Sequence, residues 1–188
     1  MLERGFSLFE MLIVLSLSSL MMMAAMVFYP QLQLQIVKAY QVYRLDQSLR
    51  GALAGLGKDL RRAGFIAGDT GNAVGEPIEI SSAKDCVIIR YDLDRTGKWE
   101  YHIGDAKTSD IFVYRLNKNN LEYRTGVPNC TGTGWEKILD EKEIKIVAFK
   151  LQEQHGYIQI ILTGLLKNQI SIEQTLTQII KYENRLLS

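Results

Sequence analysis

Glu10 is the residue of this chain best placed to do chemistry. It is a lone carboxylate within residues 5–28, which read GFSLFEMLIVLSLSSLMMMAAMVF. A carboxylate at the lip of a membrane-length apolar helix is expensive, roughly 2.5–3.5 kcal/mol at mid-helix on insertion scales. Such a group marks a functional site and calls for a cation as its partner. A new amino terminus, made by cutting between Gly5 and Phe6, would be that cation. As a helix, residues 11–28 would span about 27 Å, close to the thickness of a bilayer's hydrocarbon core. Arg4 ahead of the run and a long polar chain behind it orient it with the N-terminus in and the C-terminus out.

Gly5, Phe6, Ser7, Leu8, Glu10, Met11, Leu12, Ile13 and Val14 together resemble the class III signal and N-terminal helix of type IV prepilins and type II secretion pseudopilins. That family pattern is a short charged leader, a glycine, an aromatic residue, [ST]-L-x-E, and then an apolar helix. The resemblance implies cleavage after Gly5 by a prepilin peptidase and N-methylation of Phe6. It also implies a salt bridge between Glu10 and the amino terminus of a neighbouring subunit. Two other readings of the segment compete. An ordinary secretory signal would carry a basic n-region and a shorter apolar stretch, with Ala24-Ala25 imitating a cleavage site. A plain signal anchor fits the length but gives no reason for Glu10. Ser16, Ser18 and Ser19 either form a packing face between helices or bond back to their own helix.

Composition bounds the remainder. The chain has 188 residues and a net charge of +1, which argues against a strongly basic nucleic-acid surface and against an acidic tail. No P-loop, dinucleotide fingerprint, H-E-x-x-H or G-x-S-x-G motif occurs, so no enzyme and no cofactor is expected. Arg44, Arg50, Lys58, Arg61 and Arg62 cluster on one helical stretch, but Asp46 and Asp59 are interleaved with them, so a solvated helix face is the better reading. Asp92-x-Asp94-x-Thr96-Gly97 imitates the start of a calcium loop. Its twelfth position is Ile103 rather than glutamate, so a hairpin turn is expected and no metal. Cys86 and Cys130 are spaced wrongly against His102 and His155 for zinc. In an oxidising compartment the two cysteines are expected to form a disulfide, closing a loop of about 44 residues for on the order of 3–4 kcal/mol. Two free buried thiols are the alternative.

The elements that must carry these residues follow from the pattern. Pro30 removes a helical hydrogen bond and predicts a kink. Beyond it Leu45, Leu49, Leu53, Leu56 and Leu60 recur at helical spacing and predict a core-facing stripe. Gly51, Gly55 and Gly57 weaken that helix and would permit close approach to a sheet. Gly64, after Arg61 and Arg62, reads as the residue that ends it. From residue 6 to 62 the helix would be roughly 85 Å long. Residues 65–76 read as a loop. Strands are expected at 76–81, 86–91, 99–103, 111–116, 121–124, 143–152 and 157–162, with 170–182 strand-like at its start. The connections are short, so the sheet is antiparallel. The fold class is α+β: a pilin-like ladle in which a long N-terminal helix packs on an antiparallel β-sheet domain.

The helix end, KDLRRAGF at 58–65, resembles that of PilW-like minor pilins, the group that includes prepilin peptidase-dependent protein B. A D-L-R-x-A ending is also similar to J-type pseudopilins of type II secretion. The resemblances imply a leader at 1–5, a long helix at 6–64 (transmembrane about 9–29, amphipathic about 31–63) and a periplasmic or extracellular sheet domain at 65–188. They imply a minor pilin of a type IV pilus, acting as a priming or near-tip subunit, with DNA uptake as one use of such a fibre. A J-type minor pseudopilin is the alternative, and a membrane-anchored periplasmic binding domain is the alternative from another class. The implied partners are the prepilin peptidase, other major and minor pilins, the inner-membrane assembly platform and membrane lipid. Nucleic acid is not indicated. The implied location is the inner membrane, single-pass, and then the pilus or pseudopilus.

Overall fold

The computed structural model describes residues 7–68, 75–100, 102, 105 and 108–182. The chain divides into two units, Met1–Gln41 and Val42–Ser188. One helix, α1 (Leu8–Arg62), begins in the first and ends in the second. In the first unit every described residue from 7 to 40 is exposed. That part of the helix is held by bonds within itself, and its apolar side chains are left exposed by the described residues. Helical assignment is unbroken across Pro30.

In the second unit the leucine stripe does what its spacing predicts. Leu45, Leu49, Leu53, Leu56 and Leu60 are all buried, and they form one core with both sheets. The sheet portion is not a single sheet. Strands β1 (Ile78–Ile80), β2 (Cys86–Arg90), β3 (Ile111–Asn117), β4 (Asn120–Thr125) and β5 (Glu136–Lys137) form one antiparallel sheet in chain order. Strands β6 (Ile144–Gln154), β7 (Tyr157–Leu166) and β8 (Gln169–Lys181) form a second. The turns explain the order. Lys118 and Asn119 between β3 and β4, and His155 and Gly156 between β6 and β7, all have positive φ, as tight hairpins matching strand twist require. The two sheets meet where the Ile146 N–H donates to the Asn119 carbonyl at 2.9 Å and the Leu151 N–H to the Lys84 carbonyl at 3.0 Å.

One expectation about the strands and one about the helix glycines need correction. Trp99, Glu100 and His102 are not strand, and residues 101, 103 and 104 lie outside the described residues. The place beside β2 is already taken by β1 on one edge and β3 on the other. Glu100 instead bonds Asp110 twice, through its N–H to the carboxylate and through its carbonyl to the Asp110 N–H. The glycine expectation holds at one position of three. A side chain at Gly57 would meet Ile180 at 3.0 Å, whereas nothing lies within 4 Å of Gly51 or Gly55. The sheet has a glycine of the same kind at Gly164 in β7, where a Cβ would sit 2.9 Å from the Leu49 side chain.

The helix end is locked by polar groups. Asp59 is buried, with the Tyr91 hydroxyl donating to one carboxylate oxygen at 3.0 Å and the Tyr114 hydroxyl to the other at 2.6 Å. A buried carboxylate is tolerable only with such partners. Tyr123 packs its ring 4.9 Å from that of Tyr114. Gly64 leaves the helix at φ 82°, and its N–H donates to the Arg90 carbonyl at 2.8 Å. Burial, and then the Asp59 charge, hold Tyr91, Tyr114 and Tyr123 protonated well above the ordinary tyrosine value of 10.0.

Within the five-stranded sheet, β2 and the first half of β3 are buried on both faces. Val87, Ile89, Phe112 and Tyr114 face the helix core. Cys86, Ile88, Ile111 and Val113 form a second cluster with Val127, covered by Cys130 and Trp135. Cys86 and Cys130 are joined as a disulfide, which ties the covering segment down. Arg115 bonds the Cys130 carbonyl at 2.8 Å, pairs with Glu122 and lies 3.8 Å from the Trp135 ring.

Three of the nine tyrosines are therefore expected to stay protonated until the chain unfolds at alkaline pH. Their stabilisation is fully present below pH 10 and is lost as pH rises from there towards their folded values. Absorbance at the tyrosinate band, followed against pH alongside circular dichroism, checks this: an early and complete titration of the tyrosines would contradict it. Tyr114→Phe is expected to cost about 1.5–3 kcal/mol, the worth of a hydrogen bond to a charged group. Reducing the disulfide is expected to cost on the order of 3–4 kcal/mol in denaturant melts of the detergent-solubilised full chain, and a melt unchanged by reductant would contradict the tie.

Candidate functional site

Ser7 is the first described residue, and with Glu10 it opens α1. The Ser7 N–H donates to Glu10 Oε2 at 2.9 Å, while the Ser7 hydroxyl accepts the Phe9 N–H at 3.4 Å. This is a capping box in which a serine and a glutamate three residues on satisfy two orphan donors of the first turn. The S-x-x-E spacing of Ser7 and Glu10 carries that signal in the sequence. Glu10 Oε1 makes no hydrogen bond among the described residues. The carboxylate thus has one oxygen engaged in its own helix and one available. Gly5 and Phe6, the expected cleavage and methylation positions, lie outside the described residues.

Around Glu10 the helix is apolar on every side. Leu8 is 79% exposed and Phe9 70%, and the exposed set continues through Met11, Leu12 and onward to Phe28 and Tyr29. This helix is long and apolar enough to cross a membrane, and none of its apolar stretch is buried. An apolar surface of this extent marks a contact with lipid or with other helices. The hydroxyls of Ser16, Ser18 and Ser19 bond back to the carbonyls of Ile13, Val14 and Ser16 at 2.7–2.8 Å. Of the two readings for these serines, bonding within the helix is the one the structure shows. Each then presents a small surface with its donor already satisfied.

At the other end of α1, the segment from Lys58 to Phe65 now has a physical account. Asp59 accepts the two tyrosine hydroxyls, Leu60 and Ala63 are fully buried, and Gly64 takes the left-handed conformation. Arg62 lies with its guanidinium 5.8 Å from the centre of the Tyr91 ring. The signature therefore records how the helix is seated on β2 and β3.

The acidic turn is held by backbone. Carboxylate oxygens of Asp92, Asp94 and Asp110 approach within 4.8 Å of one another. Asp92 accepts the N–H groups of Ala67, Thr96 and Gly97, each at 2.9 Å. Asp110 accepts those of Leu93 at 2.7 Å and Glu100 at 3.0 Å. Burial raises the proton affinity of Asp92, but its bonds from Ala67, Gly97, Thr96 and Arg95 outweigh that and hold it below the usual carboxylate range. Burial dominates at Asp110 and raises it. These bonds hold the carboxylates together in a turn, which is not the hairpin expected because no strand follows at Trp99 and Glu100.

Comparison with known proteins agrees with both ends of the helix. Residues 1–26 match the prokaryotic N-terminal methylation motif, and residues 38–182 match the family described as prepilin peptidase-dependent protein B. The prepilin peptidase-dependent protein B of Escherichia coli (strain K12) is 31% identical over 175 residues, covering 92% of this chain and 91% of that one. No solved structure matches. With the family match running from the amphipathic part of α1 through β8, the chain belongs to the prepilin peptidase-dependent protein B family of pilin-like proteins.

Proposed function

We propose that this chain is a minor pilin of a type IV pilus, acting in the priming or near-tip complex of the fibre. The observation that carries the reading is Glu10: a carboxylate with one oxygen unbonded among the described residues, on a helix whose apolar side chains are exposed. Hydrolysis of the Gly5–Phe6 peptide bond by the prepilin peptidase would leave a carboxylate on the leader and an amine on Phe6. Protonated, and still cationic after N-methylation, that amine is the natural partner of Glu10 on an adjacent subunit. In a low-dielectric surrounding the attraction is several times stronger than in water and would set the axial register between helices. The leader is 1–5, residues about 9–29 cross the inner membrane, and the sheets lie on the periplasmic side. Pro30 is the point at which the helix bends or melts on entering the fibre. Its missing N–H leaves the Met26 carbonyl short of a bond.

The partners are the peptidase, the other pilins of the complex, the inner-membrane assembly platform and lipid. The role is structural rather than enzymatic. A J-type pseudopilin of a type II secretion system is the second reading, supported by the D-L-R-x-A helix end. A match to prepilin peptidase-dependent protein B across residues 38–182 favours the first.

Intact mass of the membrane-extracted chain, with and without the peptidase, is expected to show loss of residues 1–5 and one added methyl only when the peptidase is present. A chain that keeps Met1 in both would remove the basis of the reading. Glu10→Gln is expected to leave cleavage unchanged and to reduce incorporation into fibres about tenfold, the scale of losing one ion pair in a poorly solvated site. Normal incorporation of that variant would reject the salt bridge while leaving cleavage standing.

A further inference from the structure

Beyond α1 the large apolar side chains that remain exposed among the described residues are Phe65, Leu93, Val147, Tyr157 and Ile179. Two of them meet at one place. Phe65, 38% exposed, and Leu93, 41% exposed, line a hollow of about 300 Å³ together with Arg62, Tyr91, Asp92 and Arg95. The volume is at the small end of ligand pockets and suits one large side chain rather than a cofactor.

The hollow is built rather than incidental. Its two walls, residues 64–67 and 92–97, are stitched together by backbone. The Asp92 N–H donates to the Phe65 carbonyl at 2.9 Å, and the Ala67 N–H donates to the Asp92 carboxylate at 2.9 Å. Trp99 Nε1 donates to the same Phe65 carbonyl at 3.2 Å. Gly97 stands at φ 83°, so close to the opposite wall that a Cβ would lie 2.9 Å from the Ala67 carbonyl oxygen. A site fixed in this way loses little order on binding.

Its charges are one-sided in availability. Asp92 lines the hollow, but its carboxylate oxygens are committed to the N–H groups of Ala67, Thr96 and Gly97. Asp94 does not line it; its carboxylate is grouped with those of Asp92 and Asp110. Among the described residues neither Arg62 nor Arg95 has a carboxylate within salt-bridge distance, and both side chains are exposed. Arg62 rests over the Tyr91 ring, which leaves the outer edge of its guanidinium for a ligand.

We infer that this hollow is a docking site for another pilin-like subunit, taking one apolar side chain of an acidic segment. The side chain sits on Phe65, Tyr91 and Leu93, and a neighbouring Asp or Glu meets Arg62 and Arg95. The inference rests on the reading of this chain as an assembling subunit but uses none of the Glu10 chemistry.

The test is a photo-crosslinking benzoylphenylalanine placed at Leu93 in the full-length chain in its own membranes, with the same probe at Thr177 as a control for general exposure. The expected product joins Leu93 to a peptide of another pilin-like subunit with an Asp or Glu within two residues of the attachment. Arg95→Glu is expected to lower that product about tenfold, and Arg62→Lys with Arg95→Lys to keep about half of it or more. Among the described residues Arg95 has no ion-pair partner, and retention of the Cys86–Cys130 disulfide checks that the reversed chain still folds. Attachment to lipid, to a segment without acidic residues, to this chain alone, or to nothing would overturn the inference, as would a product indifferent to Arg95→Glu. Failure of the cross-link in a chain that is cut at Gly5 and enters fibres removes this site alone. Failure in a chain that is not cut removes the assembly reading as well.

Discussion

The buried carboxylate of Asp59 is the constraint around which the folded part of this protein is arranged. It sits one turn from the end of a helix, where an apolar residue would serve packing equally well. Its two oxygens are spoken for by hydroxyls from two different strands, Tyr91 just past β2 and Tyr114 within β3. Leucine contacts are tolerant of small slides along a helix axis, because dispersion is weak per atom and non-directional. Hydrogen bonds to a charged group are not tolerant, since an O–H that misses leaves a charge stranded in the core. The leucine stripe therefore supplies the attraction between helix and sheet, and Asp59 supplies the register.

Much else follows from that register. With Asp59 fixed, Gly64 falls opposite Arg90, and the chain turns out of the helix through the one bond its N–H can make there. Phe65 is then beside Asp92, and the two loops lock through Asp92's carboxylate. The far face of the same sheet is served by a different device. Among the described residues the covering segment is held by Val127 and Trp135, by bonds from Arg115 and Arg124, and by the Cys86–Cys130 disulfide. A covalent tie suits a thin layer that buries too little apolar surface to hold itself.

How much of this was legible depended on whether the signal was local. The leucine spacing, the glycine at the helix end, the hairpin at His155-Gly156 and the pairing of two lone cysteines each rest on a few neighbouring residues or on simple arithmetic, and each is found in the structure. The division into two sheets rests on which strands stop pairing, and periodicity does not encode that. Trp99–Glu100–His102 alternates like a strand but has no free edge beside β2 to join. Asp59 looked like one charge of a solvated face, because its tyrosines lie 32 and 55 residues away. Gly164 falls beyond the strand expected at 157–162, and nothing local marks it as the seat of Leu49. At the N-terminus the spacing of Ser7 and Glu10 is local too, and the structure joins them in a capping box.

The capping box changes what Glu10 can be asked to do. A serine at the head of a helix and a glutamate three residues on satisfy donors that the first turn leaves without partners. The Ser7 N–H reaches one carboxylate oxygen at 2.9 Å, with the acid at the positive end of the helix dipole. That oxygen is committed to starting the helix, so the proposed contact with a neighbouring subunit falls to the other.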